Sequence, residues 1–141
     1  TAQHVVSRVV LDEYGASTAG NQIHPDRSRI DFEPADFDED DLETIQERSN
    51  AAIVRDLSVT KENRPRPDVE REVDEGRSLL EMIPDHVDPL RVVAIEDWDM
   101  CPCGGTHVDR LGEIGRIELV DRASKGADVE RIEFVLHESA A

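Results

Sequence analysis

The spacing of apolar residues along this chain switches between a helical period and a strand-like period. The opening segment, TAQHVVSRVVLDEYGA, has the helical period, and Gly15 marks its end. In RSRIDFE, by contrast, Ile30 and Phe32 alternate with charged residues, as is typical of a half-buried strand. The HPDR turn before it predicts a hairpin whose strands cover residues 21–24 and 27–32. The chain therefore combines both kinds of element.

The segment DFDEDDLETIQERSNAAIVRDL has the clearest helical pattern. Asp38 or Asp40 can cap its start, and the acids of its first turn suit the positive end of the helix dipole. Its buried stripe is predicted to consist of Leu42, Ile45, Ser49, Ala52 and Ile53. We therefore expect an amphipathic helix here that buries one face.

The later segments mix strand and helix patterns irregularly. SVTKENRP and PLRVVAIEDW indicate strands, PDVEREVDEGRSLLEMIP indicates a helix and loop, and EIGRIELVDRAS with VERIEFVLHE indicates a final hairpin joined by KGAD. The proline-containing residues 63–68 are the best candidate for a flexible insert. Because the elements do not follow a strict β-α-β order, the pattern favours an α+β sheet domain over a doubly wound one.

The charge balance is strongly acidic. Asp and Glu total 33 against 16 Lys and Arg, which gives a net charge of −17, and only Lys61 and Lys125 are lysines. Acid-rich, lysine-poor surfaces suit concentrated salt, where the Debye length falls to about 3 Å and repulsion between carboxylates is screened. We interpret the composition as halophilic adaptation to a salty cytoplasm, and an ordinary acidic protein is the alternative.

Length and cysteine content narrow the class of protein further. A chain of 141 residues has the length of a single domain and can bury a hydrophobic core. No apolar run approaches the length of a membrane span, so no membrane partner is expected. Cys101 and Cys103 lie too close together to join distant segments, so a disulfide framework is not expected. These features predict a cytoplasmic location.

The stretch CPCGGTHV raises the question of a metal site. Cys103 and His107 have Cys-x-x-x-His spacing, and thiolate with imidazole is a donor pair that zinc prefers. Gly104 and Gly105 allow a tight loop that aims both side chains at one point. The alternative is a glycine turn beside a buried cysteine and a surface histidine. A metal also needs further ligands, and His4 on the first helix is as well explained by packing.

The segments TAQH and CGGTHVDRLGEIG together resemble the editing domain of alanyl-tRNA synthetase and its free-standing AlaX-type relatives. The resemblance extends through DRSRIDF, the acidic helix, RVVAIEDW and RIEFVL, and so covers nearly the whole chain. It implies a mainly antiparallel mixed sheet with helices packed on it, forming a single editing domain over residues 1–141. The CGGTH form is similar to alanine-type rather than threonine-type editing, and the chain resembles the small free-standing form.

The resemblance also implies a zinc site. The family carries His-x-x-x-His on an early helix and Cys-x-x-x-His much later, and these four side chains bind one zinc ion. By position, His4, Cys103 and His107 match three of the ligands. The first histidine would precede Thr1, so the expectation is that the N-terminus is truncated. Cys101 is not a matched ligand but is close enough to substitute for one.

The implied activity is hydrolysis in trans of the ester that joins a wrong amino acid, chiefly serine, to alanine-specific tRNA. A pocket that accepts serine and spares alanine needs a polar group for the serine hydroxyl. Thr18, Asn21 and Gln22 are the candidates for that group, with Asn21 favoured. Gln3 departs from the threonine usual in the synthetases, and Asp and Glu are too numerous to single out a general base.

Arginines supply most of the cations available for contacts with tRNA phosphates. The candidates are Arg27, Arg29, Arg64, Arg66, Arg110 and Arg116, and pairing with the abundant acids is the alternative for each. Two other functions remain open at this point. One is a non-catalytic zinc-stabilised tRNA-binding module, and the other is an editor of another mischarged tRNA, such as the threonine-specific one.

Overall fold

The computed structural model describes residues 1–24, 27–72, 83–84, 86–103 and 107–138. Within these residues the chain forms helices, strands and one turn of 3₁₀ helix at Leu111–Ile114. In chain order the helices and strands are α1 (Ala2–Tyr14), β1 (Ser17–Ile23), β2 (Ser28–Glu33), α2 (Glu39–Val54), β3 (Val59–Arg64), α3 (Arg66–Glu72), β4 (Leu90–Ile95), β5 (Asp99–Pro102), β6 (Arg116–Ser124) and β7 (Glu130–His137).

The strands of the described residues form two antiparallel sheets. The larger has the order β1-β2-β7-β6, and the smaller has the order β3-β4-β5. The β2–β7 pairing is long-range and places Ile30 opposite Ile132, whereas β6 and β7 form the predicted terminal hairpin. This architecture confirms the predicted α+β class with mainly antiparallel sheets. None of the described helices is both long and apolar enough to cross a membrane.

The first two helices form where the sequence predicts them. Gly15 takes the left-handed conformation that ends α1, with φ of 67°, and its N–H donates to the Leu11 carbonyl. Asp38 caps α2, and the side chains of Asp38 and Asp41 each accept a hydrogen bond from the other's backbone N–H. Both helices are thereby fixed at one end by local chemistry.

The main core lies between these helices and the larger sheet, and it continues to one face of the smaller sheet. Val5, Val6 and Val10 of α1 are fully buried, as are Ile45 of α2 and Phe32 of β2. The predicted stripe of α2 is buried at Ile45, Ser49, Ala52 and Ile53, and Leu42 is partly buried. Aliphatic side chains therefore supply most of the packing.

Two predictions about chain segments need correction. The first strand begins at Ser17, four residues before the predicted start, and Pro25 and Asp26 of the predicted turn lie outside the described residues. Residues 63–68 are not a flexible insert, because they form the end of β3 and the start of α3. The Arg66 guanidinium is buried there and donates to the carbonyl oxygens of Ile83, Pro84 and Val87, which fixes this junction.

A β-bulge in β1 decides which side chains face the core. The pairing of β1 with β2 shifts between Thr18 and Gly20, so Thr18 lies opposite Phe32 while Asn21 lies opposite Ile30. Phe32 and Ile30 are both buried on the core face of β2. Thr18 and Asn21 therefore share that face although they are three residues apart, which strict alternation would not allow.

Candidate metal centre

Three side chains with metal-binding atoms converge from distant parts of the sequence. One donor atom each from His4, Cys103 and His107 lies within 4.8 Å of the others, and this is a possible metal-binding group among the described residues. The rings of His4 and His107 meet edge to face with centroids 4.7 Å apart. Two imidazoles and one thiol form a donor set that suits zinc, so the residues fit the implied metal.

Each donor is carried by a different element. His4 lies on the first turn of α1 and is 3% exposed, whereas Cys103 directly follows β5 and is half-buried. The Cys103 N–H donates to the Arg91 carbonyl, and the Arg91 guanidinium donates back to the Cys103 carbonyl. This pair of bonds fixes the end of β5 against β4. Gly104 and Gly105, predicted to shape the following loop, lie outside the described residues.

A buried carboxylate lies behind His4. Asp99 Oδ2 is 4.0 Å from His4 Nδ1, and the Asp99 side chain is fully inaccessible to solvent. Its other oxygen lies 3.8 Å from an Nη1 of Arg8, which is one turn further along α1. A carboxylate facing Nδ1 favours a proton there and leaves Nε2 to bind a metal. Arg8 supplies positive charge that offsets the burial of Asp99.

His107 is held in its neutral form with one nitrogen facing the thiol. Its Nε2 lies 3.4 Å from Cys103 Sγ, and its Nδ1 lies 2.9 Å from the Thr1 hydroxyl. The pKa of His107 is lowered to about 4, chiefly by burial, and the positive charges of Arg91 and Lys61 contribute to the same shift. A neutral imidazole is the form that binds metals.

The three donors line the wall of a cavity of about 420 Å³. Asn21 and Ile23 of β1 also line it, because the bulge turns both toward this side of the sheet. Ile23 and Leu136 are 59% and 51% exposed, so they form an apolar rim at the cavity. The cavity therefore combines candidate metal ligands, one amide side chain and apolar contact surface, which are the components of a small-molecule site.

The three predicted pocket residues occupy different environments. Asn21 lines the cavity, whereas Thr18 and Gln22 are not among its lining residues. Thr18 is buried, and its hydroxyl donates to the Ser7 hydroxyl, which also accepts from the Gln3 amide. Gln22 lies opposite Arg29 on the outer face of the sheet. The structure thus brings Asn21 to the candidate ligands and leaves the other two behind or outside the cavity.

Most of the arginines predicted to contact tRNA interact with acidic groups instead. Arg27 pairs with Glu133, Arg110 with Asp56, and Arg64 with both Glu62 and Glu72. Arg66 pairs with Glu70 and is enclosed by loop carbonyls, so it is structural. Arg29 is half-buried on β2 and Arg116 is exposed at the start of β6. The alternative of acid pairing is therefore what the structure shows for four of the six candidates.

Sequence reasoning did not identify two residues that contact the candidate ligands. Asp99 is one of 33 acidic residues, and nothing in the sequence distinguishes it from the others. Thr1 precedes α1 and reads as an ordinary helix cap. Thr1 contacts His107, which lies 106 positions later in the sequence. Only the fold brings these groups together.

Comparison with known proteins agrees with the resemblance stated from the sequence. Residues 90–133 match the model of the threonyl and alanyl tRNA synthetase second additional domain. The chain is 32% identical over 136 residues to the alanyl-tRNA editing protein AlaX-M of Methanosarcina barkeri, a match that covers 96% of this chain and 56% of the relative. The chain thus spans about half the length of the AlaX-M proteins that it matches.

Alanine–tRNA ligases contain a similar segment. The chain is 35% identical over 144 residues to the ligase of Salinibacter ruber and 34% identical over 145 residues to that of Thermococcus kodakarensis. These matches cover 99% of this chain and 15% of each ligase. Residues 90–133 thus match the second additional domain of the threonyl and alanyl tRNA synthetases, and nearly the whole chain is similar in sequence to the AlaX-M editing proteins and to one segment of the alanine–tRNA ligases.

Proposed function

We propose that this protein is a zinc-dependent hydrolase that releases wrongly attached amino acids, chiefly serine, from alanine-specific tRNA in trans. The observation that carries the proposal is the meeting of His4, Cys103 and His107 at the wall of a cavity that Asn21 also lines. The names of the relatives support tRNA editing as the general activity. Our proposal goes beyond this general activity in three respects: the metal is zinc, the amino acid released is chiefly serine, and the protein acts in trans.

The arrangement of His4, Cys103 and His107 is in the first place suited to binding a metal ion. His4 presents Nδ1 toward Asp99, and His107 presents Nδ1 toward Thr1, so the Nε2 atom of each ring is the one available to a metal. Cys103 completes a three-residue set of the kind that catalytic zinc sites use with one open position. Bound zinc would act as a Lewis acid, either by holding the aminoacyl group or by lowering the pKa of a water molecule.

Asn21 is the residue to which we assign selection of serine. Its amide lies on the cavity side of β1 and can both donate and accept a hydrogen bond. A serine hydroxyl would satisfy this amide, whereas the methyl group of alanine would displace its water and leave it unpaired. The second site thereby supplies the discrimination that a synthetase pocket for alanine cannot obtain from size alone.

The apolar rim is suited to the rest of the substrate. Ile23 and Leu136 offer exposed aliphatic surface next to the candidate ligands, and Phe134, a buried residue of the core, lines the same cavity. Such a surface can contact the flat face of a terminal nucleoside and exclude water from the ester bond. In an acidic protein, contact of this kind contributes affinity that salt does not screen.

The competing functions predict different reactions. An editor of threonine-specific tRNA would use the same ligands with a different partner RNA, and a structural zinc module would release no amino acid. The experiment compares full-length protein on seryl and alanyl esters of alanine-specific tRNA, with seryl ester of threonine-specific tRNA as a third substrate. The proposal predicts rapid release of serine from the first substrate alone. Faster release from the threonine-specific tRNA, or no release from any substrate, contradicts it.

A further inference from the structure

The Thr1 side chain makes no hydrogen bond to the helix that follows it. The Thr1 backbone carbonyl accepts the first helical bond from the Val5 N–H, and α1 begins at Ala2. Within the described residues, the Thr1 hydroxyl does not bond to a backbone N–H of α1. Its bonding partners are His107 and Val108.

The Thr1 hydroxyl bonds to residues 107–108, which lie near the other end of the sequence and are called the ligand loop below. Thr1 Oγ1 lies 2.9 Å from His107 Nδ1 and accepts a hydrogen bond of 3.0 Å from the Val108 N–H. The opposite nitrogen of His107, Nε2, lies 3.4 Å from Cys103 Sγ. One hydroxyl thus fixes both the backbone after His107 and the direction of its ring.

A hydroxyl is chemically suited to this position because it can donate and accept. Toward a ring protonated at Nε2, the Thr1 hydroxyl donates to Nδ1. Toward a ring that uses Nε2 for a metal, Nδ1 carries the proton and the hydroxyl accepts it. In both cases a lone pair remains for the Val108 N–H. The same contact therefore persists when His107 changes its tautomer.

The contact also sets the distance between two candidate ligands. Thr1 lies at the start of the helix whose first turn carries His4, and the two histidine rings touch edge to face. Bonding the start of α1 to His107 and Val108 holds this turn against the ligand loop. Loss of the hydroxyl would remove this connection and leave His107 without its bond at Nδ1.

We propose that Thr1 is a positioning residue for the metal centre, because its side-chain hydroxyl holds His107 with Nε2 toward Cys103 and ties the first turn of α1 to the same place. This inference rests on the zinc site of the proposed function. Groups that orient metal ligands in this way typically contribute about 10- to 100-fold in metal affinity.

The test measures the Zn²⁺ dissociation constant of full-length protein by competition with a chromophoric chelator. Thr1→Val removes the hydroxyl with little change in shape, and Thr1→Ser keeps it. Thr60→Val makes the same exchange at an exposed position of β3 and is the matched control. We expect at least about 10-fold weaker binding for Thr1→Val and wild-type binding for the other two. Equal affinities for Thr1→Val and wild type, or equal weakening by Thr1→Ser, would overturn the inference.

A second measurement uses unaltered protein and so does not depend on the folding of a variant. Nitrogen-15 spectra of the His107 ring in the presence of Zn²⁺ are expected to show a proton on Nδ1 that exchanges slowly with water. A His107 ring without a proton on Nδ1 under these conditions contradicts the proposal. If His107→Ala binds Zn²⁺ as tightly as wild type, the zinc site itself fails, which is a different outcome from a silent Thr1→Val.

Discussion

The Nε2 atom of His107 lies 3.4 Å from the Sγ atom of Cys103, close enough for the ring nitrogen and the sulfur to share one bound ion. His4 reaches the same point from the first helix, about a hundred residues earlier in the sequence. The candidate centre therefore depends on how α1, β5 and the chain after β5 pack together. Changes to any one donor should affect the metal and the reaction in parallel.

Cys103→Ala removes the thiolate from the candidate centre. We expect Zn²⁺ affinity and serine release each to fall by at least about 100-fold, because thiolate is the strongest donor of the three. Cys101→Ala is the matched control, since Cys101 lines the same cavity and lies outside the three-residue group. Isothermal titration with Zn²⁺ and deacylation of seryl-tRNA measure the two effects. A greater loss with Cys101→Ala than with Cys103→Ala would contradict the assignment.

Asn21→Ala removes the amide that we assign to serine selection. The rate of serine release relative to alanine release is expected to fall roughly 10-fold or more, because the serine hydroxyl loses its partner. Zn²⁺ affinity should not change. Gln22→Ala tests the opposite face of the same strand and should leave the ratio unaltered. Steady-state rates on the seryl and alanyl esters give the ratio, and an unchanged ratio in Asn21→Ala rejects this role.

Asp31 and Arg131 form a cross-strand ion pair between β2 and β7 whose contribution should depend on pH. Arg131 donates to both carboxylate oxygens, at 2.7 and 3.2 Å, and this hydrogen bonding lowers the pKa of Asp31 below its ordinary 3.8. A folded-state pKa below the unfolded value stabilises the protein above the unfolded pKa, and that stability is lost as the pH falls through the folded value.

Asp31→Asn should therefore reduce the free energy of unfolding by up to about 1 kcal/mol at pH 7, and this deficit should shrink as the pH is lowered toward 2. Urea denaturation of metal-free protein at both pH values measures the difference. Glu47→Gln is the control, because it removes an exposed acid on α2. A deficit of equal size at both pH values would show that the pair does not act through its charge.

The net charge of −17 predicts a stability that rises with salt. Screening of carboxylate repulsion should raise the melting temperature of metal-free protein between 0.1 and 2 M KCl at pH 7. Near pH 4.5, the calculated isoelectric point, the same increase in salt should have a much smaller effect. Thermal melts monitored by circular dichroism test this, and equal salt effects at the two pH values contradict the halophilic interpretation.

The sequence predicts the elements because their causes are local. Asp38 caps α2 through its own backbone neighbours, and Gly15 ends α1 through its left-handed conformation. The sequence also identifies Cys103 and His107 as candidate ligands, because a thiol and an imidazole at Cys-x-x-x-His spacing are typical zinc donors in any fold. The family resemblance implies that His4 joins them, and in the structure the three donor atoms lie within 4.8 Å of one another.

The environments of Asn21, Arg66 and Asp99 depend on contacts between segments that are distant in the sequence, so the sequence alone does not predict them. The bulge after Thr18 turns Asn21 into the cavity, and no apolar alternation in STAGNQI predicts where an extra residue enters the strand. The sequence offers Arg66 as a possible phosphate contact, whereas the structure shows it bonded to carbonyl groups of a loop about 20 residues away. Asp99 likewise differs from the other acidic residues only because the fold brings His4 and Arg8 close to it.

The most direct test of the central claim is a crystal structure of full-length protein grown with Zn²⁺, with anomalous data collected on both sides of the zinc absorption edge. The account predicts one strong anomalous peak about 2.0 to 2.3 Å from the Nε2 atoms of His4 and His107 and from Cys103 Sγ. A peak bound by other residues, or no peak between these three atoms at saturating Zn²⁺, would contradict it.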